Sequence, residues 1–362
     1  MKRLLILLMT ICMLLCSCAS APEEKHDGIY TVKEMGENYK TQGRTIVYED
    51  KGIALLSTAD SFEFNADCEG KVSVTLFGEE MDGSNIDCYF TAYVDGVRSD
   101  VRHYVTEGEY ELVLCENIDK GEHHFRIVRQ SEWEHGRAFV KQINTTGKLL
   151  SAPEKRDIFI EFIGDSIATG FGNMPEIEYD SDWGGHPIWE DGTQAFAYMA
   201  AEKLDCDYSI VAIEGVGAVG GYWDFTMNEI YDCYPRVREK DYSYDPERTA
   251  DIVVVELFSN DHGTMREDGY TPADIVSAGK ELIEMARAKH PGSKIVVLPG
   301  AFYKKFETMI NEELGGVENG YYCVDVPLNT AGKSGHPDVA GHTEAADALV
   351  EVLKPIIEEI KK

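Results

Sequence analysis

The polarity of the chain alternates with a period of two over residues 29–150. Short segments of this kind are separated by residues typical of turns, and the segment 89–94 runs into Asp95-Gly96, a strong signal for a tight hairpin. Successive side chains of a strand point to opposite faces, so the pattern predicts strands with one buried face. We therefore expect a β-sandwich over residues 29–150. Its other clear segments are 61–64, 72–76, 110–114 and 123–128.

Beyond Pro153 longer apolar runs alternate with segments of helical periodicity. Strands are predicted at 158–163, 208–213, 252–258, 294–298 and 321–326, and helices at 193–204, 272–290 and 338–360. Continuously apolar strands with helices between them predict a parallel sheet that helices cover on both faces. We therefore expect a three-layer α/β domain over residues 154–362. Ligands of such sheets bind beyond the carboxyl ends of the strands.

The N-terminal sequence predicts an export signal. Lys2 and Arg3 precede an apolar run over 4–15, which is shorter than the roughly 20 residues that a membrane-spanning helix needs. Residues 15–18, Leu-Cys-Ser-Cys, resemble a bacterial lipobox. They predict a lipoprotein signal peptide at 1–17, lipid attachment at Cys18 and a tether at 18–28; ordinary cleavage near Ala19 is the alternative. The expected location is extracytoplasmic, at the bacterial cell surface, with membrane contact only through this anchor.

Composition narrows the possible partners. Lys and Arg number 34 and Asp and Glu number 65, which gives a formal net charge of −31 and a pI near 4.6. Because nucleic-acid binding needs a basic surface, this balance excludes non-specific binding to nucleic acid. The cysteines outside the leader show no CxxC spacing, so we expect no zinc site and at most two disulfides. These cysteines are Cys68, Cys88, Cys115, Cys206, Cys233 and Cys323.

Residues able to carry acyl-transfer chemistry follow the predicted strands of the second domain. A Gly-Asp-Ser motif places the Ser166 hydroxyl in a strand-to-helix turn. Gly215 follows the next strand, where a glycine lets a substrate oxygen approach a main-chain N–H, and Asn260 follows the third with an amide donor. His336 supplies a base directly before the last helix and is preferred to His342, which lies inside that helix. A nucleophile, an imidazole and oxyanion donors together predict an acyl-transfer site.

The order of these motifs resembles that of the SGNH (GDSL-like) hydrolases. Residues 162–173 look like the first block of that group, Gly215 and Asn260 fall where the second and third blocks lie, and His336-Pro337 matches the last. A β-rich segment that ends just upstream of the serine strand resembles, more specifically, the second family of carbohydrate esterases. Members of that family join a β-jelly-roll to a C-terminal SGNH domain. The resemblance extends over residues of roughly 45–355.

The resemblance implies a serine esterase with a flavodoxin-like SGNH domain. Ser166 would be the nucleophile and His336 the general base, and the oxyanion hole would comprise Gly215, Asn260 and the Ser166 N–H. The implied reaction removes O-acetyl groups from plant polysaccharide such as xylan or mannan, so the partner is an acetylated polysaccharide or oligosaccharide. No metal or organic cofactor is implied. The alternatives are a non-catalytic carbohydrate-binding lipoprotein of this fold, or an esterase or lysophospholipase of this fold with another acyl substrate.

The chain departs from the SGNH pattern beside the catalytic histidine. These enzymes commonly carry an aspartate two or three residues before it, where this chain has Lys333 and Ser334. A backbone carbonyl is therefore the first candidate to orient the His336 imidazole, as in a Ser-His dyad. Asp325, at the end of the preceding strand, is the second candidate and Asp338 the third.

Two further departures lie near the predicted oxyanion hole. Residues 259–261 read Ser-Asn-Asp in place of the usual Gly-Thr-Asn-Asp, and Glu214 stands where a serine is common. We expect Glu214 to place a negative charge beside the oxyanion hole and so to weaken activity. Aromatic residues of the neighbouring loops are platforms for sugar rings or, equally, packing residues. They are Trp183, Trp189, Tyr222 and Trp223.

Overall fold

The computed structural model describes residues 28–81, 86–180, 186–239 and 241–362. The predicted signal peptide, Cys18, residues 19–27 of the tether and Trp183 lie outside these ranges. Within them, every helix is too short or too polar to cross a lipid bilayer. The proposed domain bounds, 29–150 and 154–362, stay predictions.

The N-terminal region forms one antiparallel sheet around its own core. Its main path runs β3-β4-β10-β5-β9-β6-β7, while β1 pairs with β10, β2 and β11 pair with β5, and β8 pairs with β6. This confirms a β-rich N-terminal domain, and its jelly-roll arrangement stays a prediction. The strands are β1 (Ile29–Thr31), β2 (Lys40–Gln42), β3 (Ile46–Tyr48), β4 (Gly52–Leu55), β5 (Ser61–Glu79), β6 (Cys88–Val94), β7 (Val97–Arg98), β8 (His103–Val105), β9 (Gly108–Arg129), β10 (Arg137–Thr145) and β11 (Lys148–Leu149).

Two long strands replace four of the predicted short segments. The segments 61–64 and 72–76 both lie in β5, and 110–114 and 123–128 both lie in β9. The turn-like residues between these segments form β-bulges, which appear as register shifts around Gly70. A bulge bends a strand but does not end it. The predicted hairpin is confirmed, since Asp95 and Gly96 have φ of 50° and 78°, as a type I′ turn requires.

The C-terminal region is built on a five-stranded parallel sheet. Its strand order, β13-β12-β14-β15-β16, is the 2-1-3-4-5 order of flavodoxin-like folds. Its strands are β12 (Phe159–Gly164), β13 (Asp207–Ala212), β14 (Ile252–Glu256), β15 (Lys294–Leu298) and β16 (Tyr321–Cys323). The helices of the chain are α1 (Val32–Met35), α2 (Ser166–Thr169), α3 (Phe196–Lys203), α4 (Met227–Ile230), α5 (Ser259–Asp268), α6 (Pro272–Lys289), α7 (Tyr303–Glu313) and α8 (Val339–Ile360).

Helices cover both faces of this sheet, which confirms the three-layer prediction. Val253 and Val255 of β14 belong to the same buried cluster as Leu282 of α6, whereas Val254 belongs to the cluster of Leu349 of α8. Alternate residues of a strand thus face opposite helical layers, as the period of two requires. Helices α5 and α7 are additions to the predicted elements; α5 is strongly polar and lacks the apolar periodicity that marks the others.

A buried ion pair joins the two regions. Arg44, in the turn between β2 and β3, contacts Glu161 of β12 at 3.0 Å, and both side chains are fully buried. Glu161 also accepts a hydrogen bond from the Tyr231 hydroxyl at 2.7 Å and lies 3.0 Å from His290 Nε2. Removing one partner of such a pair would leave a buried charge without compensation. The β-rich region is therefore bonded directly to the sheet that carries the site.

Candidate active site

Ser166 lies in a tight turn at the carboxyl end of the central strand β12. Asp165 precedes it as the N-cap of α2, and the Asp165 carboxylate accepts the Ile167 N–H at 3.0 Å. A side chain at Gly164 would meet the Ala168 methyl at 2.5 Å and the Glu256 carbonyl oxygen at 2.9 Å. Only glycine fits there, and this close packing fixes Ser166 at the start of α2.

The structure brings His336 to Ser166. The Ser166 Oγ lies 2.7 Å from His336 Nε2, within the range for direct proton transfer. On the other side of the ring, Nδ1 lies 3.2 Å from the Lys333 carbonyl oxygen. The Phe171 ring covers the imidazole at a centroid distance of 4.5 Å. Of the three candidate orienting groups, the backbone carbonyl is the one that bonds His336.

The two aspartates proposed as alternatives serve other parts of the structure. Asp338 caps α8, where it accepts the Gly341 N–H at 2.9 Å, and it is bonded to the Asn329 amide at 2.7 Å. Asp325 lines a separate cavity of about 200 Å³, which Ile167 also lines. His342, the alternative base, is fully buried and packs on Phe196.

We expect Asp338→Asn to leave kcat within about threefold of the wild-type value, because asparagine caps helices as well as aspartate does. The Asp338 carboxylate accepts hydrogen bonds from the first turn of α8 and from Asn329. The His336 imidazole donates instead to the Lys333 carbonyl. Steady-state hydrolysis of an aryl acetate measures the effect. A loss of several orders of magnitude in kcat would mean that Asp338 is the missing acid of a triad.

The loop after α2 supports the loop that carries the histidine. Gly172 has a φ of +64°, and a side chain there would collide with Lys333 at 2.8 Å. The Gly172 carbonyl accepts the Lys333 N–H at 2.9 Å, and the Asn173 carbonyl accepts the Val339 N–H at 3.1 Å. The Gly-Phe-Gly-Asn extension at 170–173 therefore positions His336 through the backbone of Lys333.

The predicted oxyanion donors line one cavity with Ser166 and His336. This cavity measures about 390 Å³ and includes Gly215 and Asn260. Gly215 has a φ of +69°. In the part of the chain that the structure describes, neither the Gly215 nor the Ser166 N–H donates to another group. Both are thus available to a developing oxyanion.

Asn260 makes two hydrogen bonds through its amide nitrogen, and the longer of them is the one that a substrate oxyanion would replace. Its Nδ2 donates to the Val216 carbonyl at 2.8 Å, and the contact of the same nitrogen with Asp165 Oδ2 is longer, at 3.3 Å. Asp165 also accepts the Ser259 hydroxyl. Burial raises the pKa of Asp165 to about 6. Asp165 therefore ties the loop after β14 to the serine turn.

Glu214 also lines this cavity, but it is not charged as predicted. Desolvation and, after it, the neighbouring Glu134 carboxyl, to which Glu214 is hydrogen-bonded, together raise the pKa of Glu214 to about 9. Glu214 is therefore protonated at neutral pH, which contradicts the negative charge predicted on this side chain, and its effect on activity stays a prediction. Glu134 comes from the β-rich region, in a 3₁₀ turn at Trp133–His135.

Three buried residues behind the cavity could accommodate a metal ion. Glu132, His135 and Glu190 each offer one ligand atom within 4.8 Å of the others. Glu132 also has a structural task, because it accepts the Glu214 N–H at 2.6 Å and the Thr169 hydroxyl at 3.3 Å. Burial raises the pKa of both carboxyl groups well above the usual range, which favours their neutral forms.

Several of these contacts could not be predicted from the sequence. Glu132, Glu134 and the Lys333 carbonyl lie far from Ser166 in the chain and carry no motif, so only the folded backbone brings them to the site. Asp165 belongs to the Gly-Asp-Ser motif, but its hydrogen bond to Ser259 could not be predicted from the sequence. Among the predicted aromatic platforms, Trp189 is buried, whereas Tyr222 and Trp223 line the cavity. All six cysteines of the described residues are free thiols.

Comparison with known proteins confirms the resemblance noted above. Residues 41–153 match the family described as carbohydrate esterase 2 N-terminal. The cellulase/esterase CelE of Acetivibrio thermocellus is 27% identical over 261 residues, which are 67% of this chain and 31% of CelE. An acetylxylan esterase/glucomannan deacetylase of Cellvibrio japonicus is 28% identical over 160 residues, which are 42% of this chain and 43% of that protein. The chain thus spans less than half the length of these two relatives.

Solved structures share the fold across both domains. An acetyl xylan esterase from Butyrivibrio proteoclasticus has a TM-score of 0.78 at 19% identity, covering 91% of this chain and 98% of the other. A family two carbohydrate esterase from Clostridium thermocellum, in complex with cellohexaose, has a TM-score of 0.75 at 23% identity, covering 88% and 99%. At these identities the likeness establishes the fold, a β-rich domain followed by an SGNH-type α/β domain.

Proposed function

We propose that this chain, which has the two-domain fold of the family 2 carbohydrate esterases, is a serine esterase that removes O-acetyl groups from plant polysaccharide such as xylan or mannan. The observation that carries the proposal is the 2.7 Å contact between Ser166 Oγ and His336 Nε2. It lies in a cavity that Gly215 and Asn260 also line. Nucleophile, base and oxyanion donors thus meet at the carboxyl edge of the parallel sheet.

The proposed reaction passes through an acetyl-enzyme. Ser166 Oγ attacks the acetyl carbonyl carbon while His336 Nε2 takes the hydroxyl proton. The Ser166 and Gly215 N–H groups and the Asn260 amide stabilise the oxyanion of the tetrahedral intermediate. His336 then donates the proton to the leaving sugar oxygen as the ester bond breaks. Water, deprotonated by the same imidazole, hydrolyses the acetyl-serine and releases acetate.

Two observations support a neutral carbohydrate substrate. The named relatives are acetylxylan esterases and a glucomannan deacetylase, and the cavity is open and lined by both polar and aromatic residues. The net charge of −31 disfavours an anionic lipid or nucleic acid as substrate. Acetate release from acetylated xylan and acetylated glucomannan by the full chain tests the proposal. No release from either, with retained binding of the oligosaccharides, would favour the non-catalytic binding protein.

The pH dependence of activity should follow the His336 imidazole. Desolvation lowers the pKa of His336 below its usual value of 6.5, and the general base must be neutral to accept the serine proton. We expect kcat/KM for an aryl acetate to be constant near pH 7 and to fall about tenfold per pH unit in the acid range. A midpoint above pH 6.5 would contradict this assignment.

We further propose that the protein is an extracytoplasmic lipoprotein whose N-terminal domain, residues 29–150, is a jelly-roll. The anchor rests on the Leu-Cys-Ser-Cys sequence at residues 15–18. In a bacterial host, Cys18→Ala should move the protein from the membrane fraction to the soluble fraction, while Cys323→Ala, a matched thiol in the second domain, should not. A Cys18→Ala protein that stays in the membrane fraction would remove the anchor.

A further inference from the structure

We propose that the Glu134 and Glu214 carboxyl groups form one subsite that accepts hydrogen bonds from hydroxyl groups of the sugar that carries the ester. The inference rests on the proposed function and names a part of the cavity that selects the substrate. Because Glu134 belongs to the β-rich domain, this domain would contact the substrate directly.

The two side chains occupy one wall of the catalytic cavity. Glu134 and Glu214 line it together with Ser166 and His336, and their carboxyl groups are hydrogen-bonded to each other. Both residues are partly exposed, so a ligand that enters the cavity can reach their carboxyl groups. The pair is thus close to the reacting serine without being part of the Ser166–His336 contact.

Hydrogen bonds hold the backbone of Glu214 and the side chain next to Glu134 in place. The Glu214 N–H donates to Glu132 Oε2 at 2.6 Å, and the Glu214 carbonyl accepts the Trp223 indole N–H at 2.6 Å. Beside Glu134, the Trp133 indole donates to the Pro235 carbonyl at 2.8 Å, within the buried core. A carboxyl pair placed by such neighbours loses little side-chain freedom when a ligand binds.

The chemistry of the pair suits a polyol. A hydrogen bond between two carboxyl groups uses one oxygen of each group, and every carboxyl oxygen has two lone pairs. The pair therefore presents hydrogen-bond acceptors to the cavity. Sugar hydroxyls are the donors that match this surface, whereas a substrate carboxylate has no proton to donate to it. Tyr222, 75% exposed on the same cavity, offers an apolar face to the sugar ring.

The test compares two substrates that share the acetyl group. An acetylated xylo-oligosaccharide carries free hydroxyls, and p-nitrophenyl acetate carries none. We expect Glu134→Gln and Glu214→Gln each to lower the ratio of kcat/KM for the oligosaccharide to that for the aryl acetate by roughly tenfold, the value of one hydrogen bond. The double variant should lose little more than either single one, because the pair acts as a unit. Glu109→Gln, an exposed glutamate of β9, is the matched control and should leave the ratio unchanged.

Binding supplies a readout that does not depend on catalysis. In a Ser166→Ala background, calorimetric affinity for the acetylated oligosaccharide should fall by a similar factor in each glutamine variant. An unchanged ratio and affinity in both variants would overturn the inference, and so would an equal loss of activity on both substrates. If the wild type releases acetate from neither substrate while the glutamine variants still weaken binding, the proposed function fails and the subsite stands.

Discussion

Replacing Ser166 with alanine is expected to lower acetate release by about 10⁴-fold or more. The substitution removes the Oγ that lies 2.7 Å from His336 Nε2, and no other hydroxyl has this contact in the described part of the chain. Since the acetyl-enzyme cannot form, only the oxyanion donors and substrate binding would remain. Acetate release from acetylated xylan, with hydrolysis of p-nitrophenyl acetate in parallel, measures the loss.

Two further variants show whether Ser166 acts with His336. His336→Ala should cost about as much as Ser166→Ala, and the double variant should be no worse, because residues of one catalytic unit are non-additive. Ser209→Ala is the matched control: its hydroxyl is buried in β13 and has no hydrogen-bond partner among the described residues. If Ser166→Ala releases acetate at the wild-type rate, the esterase mechanism is wrong.

Replacing Asn260 with alanine should lower kcat by about 10²–10³-fold, the usual cost of one oxyanion donor. KM should change much less, because the amide bonds the oxyanion more strongly than it bonds the ester carbonyl of the ground state. Steady-state kinetics on an aryl acetate separate the two constants.

The same substitution also removes a structural bond, so a matched control is needed. Asn260 donates to the Val216 carbonyl at 2.8 Å, a bond worth about 1 kcal/mol of folding free energy. Asn228 donates to the Ala278 carbonyl at 2.9 Å in α4, outside the cavity. Asn228→Ala should therefore show a similar loss of thermal stability with normal kcat. A kcat for Asn260→Ala within tenfold of wild type would exclude Asn260 from the oxyanion hole.

The neutral Glu214 changes how the departures from the SGNH pattern are interpreted. A charged carboxylate at this position would oppose an oxyanion at Gly215, but burial and the Glu134 carboxyl keep Glu214 uncharged. The missing aspartate before His336 is also compensated, since the Lys333 carbonyl accepts the ring proton. The departure at His336 therefore does not argue for an inactive relative, and the effect of Glu214 on activity stays a prediction.

Local pattern determined the main strands and the long helices of the parallel-sheet domain, but it left several strands of the β-rich domain unassigned. The strand at 294–298 agrees at both ends, and the helices at 272–290 and 338–360 agree to within one residue, because apolar periodicity and terminal residues are local properties. Strands β5 and β9 were divided wrongly, since a glycine that ends one strand can equally form a bulge within another. Helix α5 was missed because its polar surface has no periodic signal.

The sequence by itself determined the fold class and the residues that follow the strands of the parallel sheet. Parallel strands all end at one edge, so Ser166, Gly215 and Asn260 had to lie near each other once the strands were placed. Only the tertiary structure decided what orients His336 and what charge Glu214 carries. Both depend on groups distant in the chain, a backbone carbonyl and a glutamate of the β-rich domain, and on burial. Hydrogen bonding and desolvation at these positions arise from packing, which residue spacing does not encode.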